Sequence, residues 1–203
     1  MKKWMSLFDL CPIRPSVQKE RAARITAMSY LRDCQDKEQR MEKQLLNTGE
    51  YILLRGKDSY NGLLQRIETN PVSRITGRAI MDLYNSVPKS YRKNAVFLMN
   101  TVTLNELSRS LGTDRTMLSS RDDGTFMLMD HPVVLCNAMP FISKGSVPIL
   151  FGDFGKVSIE DCGRDELQQE PCEGNPGTQQ YTLTGYMDCM LEEQLAVRGI
   201  KIV

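Results

Sequence analysis

The residues able to take part in catalysis are few, and they stand far apart in the sequence. The single histidine, His131, precedes Pro132 in an apolar stretch. A histidine that acts as a general base needs a partner group within hydrogen-bond reach, and no serine or cysteine forms a recognisable motif with it. We therefore interpret His131 as a hydrogen-bonded structural residue rather than a catalytic one.

Two acidic pairs and one isolated aspartate could supply carboxylates for acid–base chemistry. Neighbouring residues on a helix or strand point in different directions, so neither Asp122–Asp123 nor Glu192–Glu193 forms a shared site by itself. Asp153 follows Gly152 in a short polar segment, where an aspartate commonly accepts a hydrogen bond from a nearby backbone N–H. We predict that Asp153 forms a turn, with a functional carboxylate as the alternative.

The cysteines do not have the spacing of a metal site. They stand at positions 11, 34, 136, 162, 172 and 189, without a Cys-x-x-Cys pair, whereas zinc sites use closely paired ligands. The apolar run at the start of the sequence is interrupted by Asp9, Pro12 and Pro15, which argues against a secretory signal. Without such a signal, free thiols in a reducing compartment are the simpler interpretation. The sequence therefore predicts no catalytic residue, no metal ion and no cofactor.

The charge balance argues against a protein that holds nucleic acid mainly through its phosphates. The chain carries 26 basic and 25 acidic residues, for a net charge of +1, whereas such proteins usually have a clear basic excess. No apolar run approaches the roughly 18 residues that a membrane-spanning helix requires. We expect no membrane partner.

The longest predicted element is a helix over residues 16–47. Its background is heavily charged, and its apolar residues recur mainly at every third position. They are Ile25, Met28, Leu31, Cys34, Met41 and Leu45. A narrow apolar stripe of this kind fits a helix laid against a partner surface or in a coiled coil, and equally an ordinary surface helix. Gly49 would end it.

Shorter elements are predicted over the rest of the chain. Helices are expected at 76–87, ended by Pro88, and at 103–111. Extended segments are expected at 96–100, 131–140, 147–154, 157–161 and 181–187, with a hairpin possible at 50–70. Within 117–129, a turn at Asp122–Gly124 is expected between two extended pieces. Residues 162–180 are predicted to be a mobile loop, and 189–203 to be helical or extended. Helices early and strands late indicate an α+β fold.

Residues 103–120 also allow a different function. Leu107, Leu111 and Gly112 are placed much as in a helix-turn-helix, and residues 113–120 could form its second helix. The same Leu-x-x-x-Leu-Gly pattern ends many ordinary helices. A DNA-binding regulator is therefore the alternative hypothesis.

Five segments from residue 91 onward resemble, in their order, the major capsid proteins of tailed bacteriophages, which have the Hong Kong 97-like capsid fold. A Tyr-Arg-x-Asn-Ala segment is followed by an apolar strand ending in Met-Asn and by a helix, here 103–107. A Pro-Val strand then leads to Met139–Pro140, and a Phe-Gly-Asp-Phe turn precedes the strand 157–161. The matching motif residues are Tyr91, Arg92, Asn94, Met99, Asn100, Pro132, Val133, Phe151, Gly152, Asp153 and Phe154.

This resemblance implies a structural virion protein rather than an enzyme. Its fold would be α+β, with a long helix packed on a β-sheet and a second small α/β lobe. Copies of the chain would associate as pentamers and hexamers into a shell around DNA, which they would contact only non-specifically. Scaffold and portal proteins would be further partners. The protein would lie in the host bacterial cytoplasm before assembly and in the capsid of the virion afterwards.

The resemblance is weak before residue 50. The family has a long N-terminal arm and an extended β-hairpin before its long helix, whereas residues 1–50 are predicted here to be a charged helical segment. Residues 51–203 would form the capsid-like domain, with a peripheral part at 51–100 and 146–203 and an axial lobe at 101–145. The chain would therefore be N-terminally shortened or derived from a prophage remnant.

Overall fold

The computed structural model describes residues 5–32, 36–111, 117–172 and 177–203, which form helices and two mixed β-sheets. The helices in these ranges are α1 (Leu7–Leu10), α2 (Lys37–Arg55), α3 (Leu63–Arg66), α4 (Gly77–Ser86), α5 (Lys89–Arg92) and α6 (Thr101–Leu111). The strands are β1 (Ile13–Pro15), β2 (Ala23–Arg32), β3 (Glu68–Val72), β4 (Val96–Met99), β5 (Leu118–Ser120), β6 (Phe126–Leu128), β7 (His131–Leu135), β8 (Ile149–Gly152), β9 (Val157–Arg164), β10 (Gln168–Pro171), β11 (Thr178–Leu191) and β12 (Val197–Ile202). The α+β fold class is thereby confirmed.

The first sheet contains β1, β9, β11 and β10 in that order, and β2 joins it by pairing with β11. The long strand β11 holds this sheet together, because β2 lines one of its sides while β9 and β10 share the other. Helix α2 packs against β2 and β11. Its buried residues Met41 and Leu45 meet Ile25 of β2 and Met187 of β11 in one core.

The second sheet has seven strands in the order β3-β12-β8-β4-β7-β6-β5. Its central strands are apolar on both faces, as expected for a sheet that is covered on both sides. Along β4, Leu98 belongs to the core beside α2, whereas Phe97 and Met99 belong to the core beneath α4 and α6. This strict alternation fixes the register of β4, because a shift of one residue would exchange the two faces.

The predicted helix over 16–47 is wrong in its first half. Residues Ala23–Arg32 are strand β2, in which Ile25 is fully buried while Met28 is 48% exposed. Buried and exposed residues thus alternate every second position, as in a strand, rather than following the three-residue spacing of the apolar residues. The strand forms because β11 provides a pairing partner over ten residues. The helix itself begins at Lys37 and continues past Gly49, where a Cβ atom would lie only 3.2 Å from Ile25 Cδ1.

Two other predictions are also wrong. The suggested hairpin at 50–70 is instead the end of α2, a turn closed by Lys57 and Tyr60, then α3 and β3. The suggested loop at 162–180 contains the end of β9 and all of β10, while residues 173–176 lie outside the described residues. In both cases a strand formed because a distant partner, β12 or β11, lies beside it.

Most of the later elements are confirmed. Helices form at Gly77–Ser86 and Thr101–Leu111, and the five predicted extended segments each contain a strand. The predicted turn at Asp122–Gly124 joins β5 to β6. Residues 112–116 lie outside the described residues. Leu118–Ser120 is a strand, so the second helix predicted for a helix-turn-helix at 113–120 does not extend over Leu118–Ser120.

The predicted domain boundaries do not coincide with breaks in the two sheets. Helix α2 runs across residue 50, and its residues Met41 and Leu54 lie in the same core. The second sheet contains β4, β7 and β8, which come from both sides of residues 100 and 145. The division into a peripheral part and an axial lobe remains a prediction. No helix in the described ranges has the length and apolar character to cross a membrane.

Candidate functional site

Asn100 connects a helix to a distant loop. Its Oδ1 accepts a hydrogen bond of 2.7 Å from the N–H of Thr103 in the first turn of α6, as a helix-capping residue does. Its Nδ2 donates to the carbonyl oxygens of Met139 and Pro140 at 3.1 and 2.7 Å. Asn100 is almost fully buried, and both its side-chain oxygen and its side-chain nitrogen form hydrogen bonds within the protein.

Arg92 closes the end of helix α4. Its guanidinium donates to the carbonyl oxygens of Val87 and Asn85 at 2.7 and 3.2 Å, which the last turn of a helix leaves without partners. The same group lies 4.3 Å from the centre of the Tyr84 ring, in a cation–π contact. Tyr91, beside it, packs against both cores. Asn94 is exposed.

His131 lies in an aromatic cluster. Its ring packs edge-on against Phe151 with centroids 5.2 Å apart, and Phe151 stacks on Phe97 at 4.3 Å. The ring of Tyr84 lies 5.6 Å from that of His131, and the His131 Nδ1 is 3.1 Å from the Ala95 carbonyl oxygen. A hydrogen-bonded histidine within an aromatic core matches the structural interpretation.

The Phe-Gly-Asp-Phe segment is a sharp change of direction between the two cores. Phe151 is buried in the core beneath α4, whereas Phe154 is buried in the core beside α2. Asp153 Oδ1 accepts a hydrogen bond of 3.0 Å from the Gly155 N–H, as the turn interpretation requires. Gly152 passes so close to Val197 that a Cβ atom would lie 2.6 Å from its Cα, and still closer to the Ala196 carbonyl oxygen.

The motif residues are brought together because β8, β4 and β7 are neighbours in the second sheet. Strand β4 pairs with β7 through Phe97 and Val133, and with β8 through Phe97 and Phe151. Met99 and Val133 are buried, while Pro132 is half-buried. This cluster supports packing and helix capping rather than a reaction. Within the described residues, no three potential metal ligands lie together.

A buried polar network on β11 has no counterpart among the residues predicted from the sequence. Asp188 is 4% exposed. Its Oδ1 accepts a hydrogen bond of 2.9 Å from the Tyr60 hydroxyl and lies 3.0 Å from an Arg66 guanidinium nitrogen. Burial, followed by the negative charge of Asp188, raises the pKa of Tyr60. The network ties the segment around α3 to β11, and only a contact between residues more than 120 positions apart could have indicated it.

Four of the described cysteines are buried thiols. Cys11, Cys136, Cys162 and Cys189 form no disulfide, and each is buried. Burial raises the pKa of Cys136 to about 12, with a further contribution from the nearby Glu50 charge. Because the thiolate is the reactive form, these residues behave as small apolar groups.

Glu50 is a buried carboxyl group within α2. It accepts a hydrogen bond from the Leu7 N–H at the start of α1 and contacts Cys136. Burial raises the pKa of Glu50 above its usual value near 4.5, even though the Leu7 bond acts in the opposite direction. The interaction therefore attaches α1 to α2 at a position where burial disfavours the charged form of the carboxyl group.

We expect the substitution Glu50→Gln to change the pH dependence of stability. Because the folded-state pKa is raised, the contribution of Glu50 is fully present below about pH 4.5 and is lost as the pH rises through the folded-state pKa. The free energy of unfolding of the parent should thus fall relative to that of the variant over this range. Urea titrations at several pH values measure this difference.

The matched control is the Glu193→Gln substitution, which makes the same chemical change at an exposed position. If the free energy of unfolding of the parent instead rose with pH relative to that of the Glu50→Gln variant, this would contradict a raised pKa of Glu50.

Comparison with solved structures places this arrangement of helices and sheets among shell-forming proteins. The capsid of a native GTA particle is similar with a TM-score of 0.65 and 18% identity, over 90% of this chain and 73% of that one. The encapsulin SrpI of Synechococcus elongatus is similar with a TM-score of 0.59 and 14% identity, over 89% and 73%. A chain of Gordonia phage Cozz gives 0.59 and 9%, over 90% and 71%. At these identities the similarity establishes the fold.

The sequence itself establishes the family. The profile of the Phage capsid family matches residues 39–192, which is more than half of the chain. The chain therefore belongs to the Phage capsid family. Among curated proteins, no sequence matches it.

Proposed function

We propose that this protein is a structural subunit that associates with copies of itself into a closed shell. The observation that carries the proposal is the family match over residues 39–192, together with a fold similar to that of capsids and encapsulins. Closed shells are built from interfaces that repeat in every subunit. The function of the chain then lies in its surfaces rather than in a pocket.

We infer that the shell encloses DNA, as in a virion, without sequence-specific contacts. The balanced charge of the chain, with 26 basic and 25 acidic residues, fits a wall that does not bind nucleic acid tightly. Scaffold and portal proteins would be further partners during assembly. The protein would lie in the host bacterial cytoplasm before assembly and in the virion afterwards.

The protein would carry out no reaction of its own. The side-chain polar groups of Asn100 and Arg92 are used in helix capping, and Asp153 is used in a turn. These contacts support a structural role for the motif residues.

Light scattering combined with negative-stain images tests this proposal on the purified chain. We expect rings of five or six subunits or closed particles, because each subunit carries a capsid-like fold. Particles recovered from cells should contain nucleic acid that resists nuclease while the shell is intact. A chain that remains monomeric at all protein concentrations would contradict self-association, and particles without nucleic acid would contradict a DNA-filled shell.

A further inference from the structure

Two of the open edges of the first sheet, those of β10 and β2, lie directly across one strand from each other. Residues Gln179–Thr182 of β11 pair with β10 on one side and with Met28–Leu31 of β2 on the other. In the described ranges, neither β10 nor β2 pairs with any further strand. Each edge therefore presents backbone N–H and C=O groups that another strand could bind.

The β2 edge lacks most of the features by which proteins protect such edges. It is ten residues long, contains no proline and follows a regular alternation. Met28 and Tyr30 on its outer face are 48% and 60% exposed. One protecting contact is present, a hydrogen bond of 2.9 Å from Gln44 Nε2 to the Met28 carbonyl oxygen. A long, partly apolar edge of this kind normally becomes covered by another chain.

The two edges carry opposite charges. Beside the β2 edge, Arg21 and Arg24 are exposed, with Glu20 as the acidic residue among them. Beside the β10 edge, the exposed charged residues from 165 to 172 are all acidic. These are Asp165, Glu166 and Glu170. Opposite charges on surfaces that face each other favour the correct pairing and disfavour wrong ones.

We propose that the β2 edge of one copy of this chain docks on the β10 edge of the next copy. The inference rests on the proposed function and adds to it the surface through which two subunits meet. Both strands run antiparallel to β11, so successive copies would place β2 and β10 parallel to each other. A two-fold pairing of β2 with β2 would instead bring like charges together.

This contact is head-to-tail, since it joins two different surfaces. Contacts of this type repeat from copy to copy and close into a ring when the rotation allows it. Exposed ion pairs are individually weak, so one contact is weak and the ring depends on repetition. The charges also make assembly sensitive to salt, because ions screen exposed charges.

Charge reversal on either edge tests the proposal. The first variant combines Arg21→Glu with Arg24→Glu, and the second combines Glu166→Lys with Glu170→Lys. In each variant the β2 and β10 edges carry charge of the same sign and repel each other. We therefore expect the protein concentration needed for assembly to rise at least about tenfold. Light scattering and negative-stain images measure it, and circular dichroism establishes that each variant is folded.

A mixture of the two variants gives the decisive result. The acidic β2 edge of the first variant then faces the basic β10 edge of the second, so the mixture should assemble although neither variant does alone. The matched control combines Arg78→Glu with Asp82→Lys, which reverses two exposed charges on α4 and should assemble like the parent.

The outcomes separate this inference from the proposed function. If the parent assembles and both variants assemble equally well, the shell function stands and the edge contact is wrong. If each variant fails and the mixture also fails, complementary edges are wrong. If the parent remains monomeric at every concentration and salt level, the proposed function itself is overturned, and the edge contact with it.

Discussion

Replacing Gly152 by alanine should destabilise the folded chain by about 3 kcal/mol or more, as overpacking in a rigid interior does. The new Cβ would lie 2.6 Å from Val197 Cα and nearer still to the Ala196 carbonyl oxygen. Both are backbone atoms of the segment that leads into β12, so neither can move aside as a side chain would. Gly152 also has a φ of 157°, which residues with a side chain rarely adopt.

Urea unfolding followed by circular dichroism measures this effect. The matched control is Gly155→Ala in the same turn, where the nearest atom to a Cβ would be Asp153 Oδ1 at 3.1 Å. Because that side chain can shift, the control should change the free energy of unfolding by less than about 1 kcal/mol. Equal effects at Gly152 and Gly155 would show that the close approach to Val197 is not what requires glycine.

Asn100→Ala is the second substitution with a large expected effect, a loss of about 3 kcal/mol. Removing the helix cap costs about 1 kcal/mol. Leaving the half-buried Pro140 carbonyl oxygen without its donor costs about a further 1–3 kcal/mol. Met139 loses less, because its carbonyl oxygen also accepts from Arg55. The loss should appear in thermal or urea unfolding of the whole chain.

The neighbouring motif residue Asn94 provides the control for this experiment. Asn94 is exposed, so Asn94→Ala should change stability by no more than about 0.5 kcal/mol. If Asn94→Ala were as harmful as Asn100→Ala, the stability of this region would not depend on the capping bonds. A small effect at both positions would contradict the role assigned to Asn100.

The sequence was informative wherever structure depended on neighbours along the chain. Thr76, whose side chain accepts from the Ala79 N–H, marks the start of α4, and Pro88 follows its end. The Asp-Asp-Gly turn between β5 and β6 and the Asp153 turn were predicted from residue types alone. The order of the motif residues also indicated the family, to which the profile match assigns the chain.

The sequence was misleading wherever a distant partner decided the local conformation. Ile25, Met28 and Leu31 fit a helical stripe, yet they belong to a strand because β11 pairs with them. Residues 168–171 look like a polar loop, yet they form β10 on the same strand. The helix continued past Gly49 because the absence of a side chain lets α2 approach Ile25. In each case the competing conformations differ little in local preference, so tertiary packing decides.

The amino-acid sequence by itself determined the α+β class, the later helices and strands, the main turns and the family, because capping residues, glycines and apolar alternation act over a few positions. Only the tertiary structure decided that β2 is a strand and that Asp188, Tyr60 and Arg66 meet. It alone placed basic and acidic residues on opposite edges of one sheet. These features depend on which segments become neighbours in space, and that follows from burying two cores at once rather than from any local pattern.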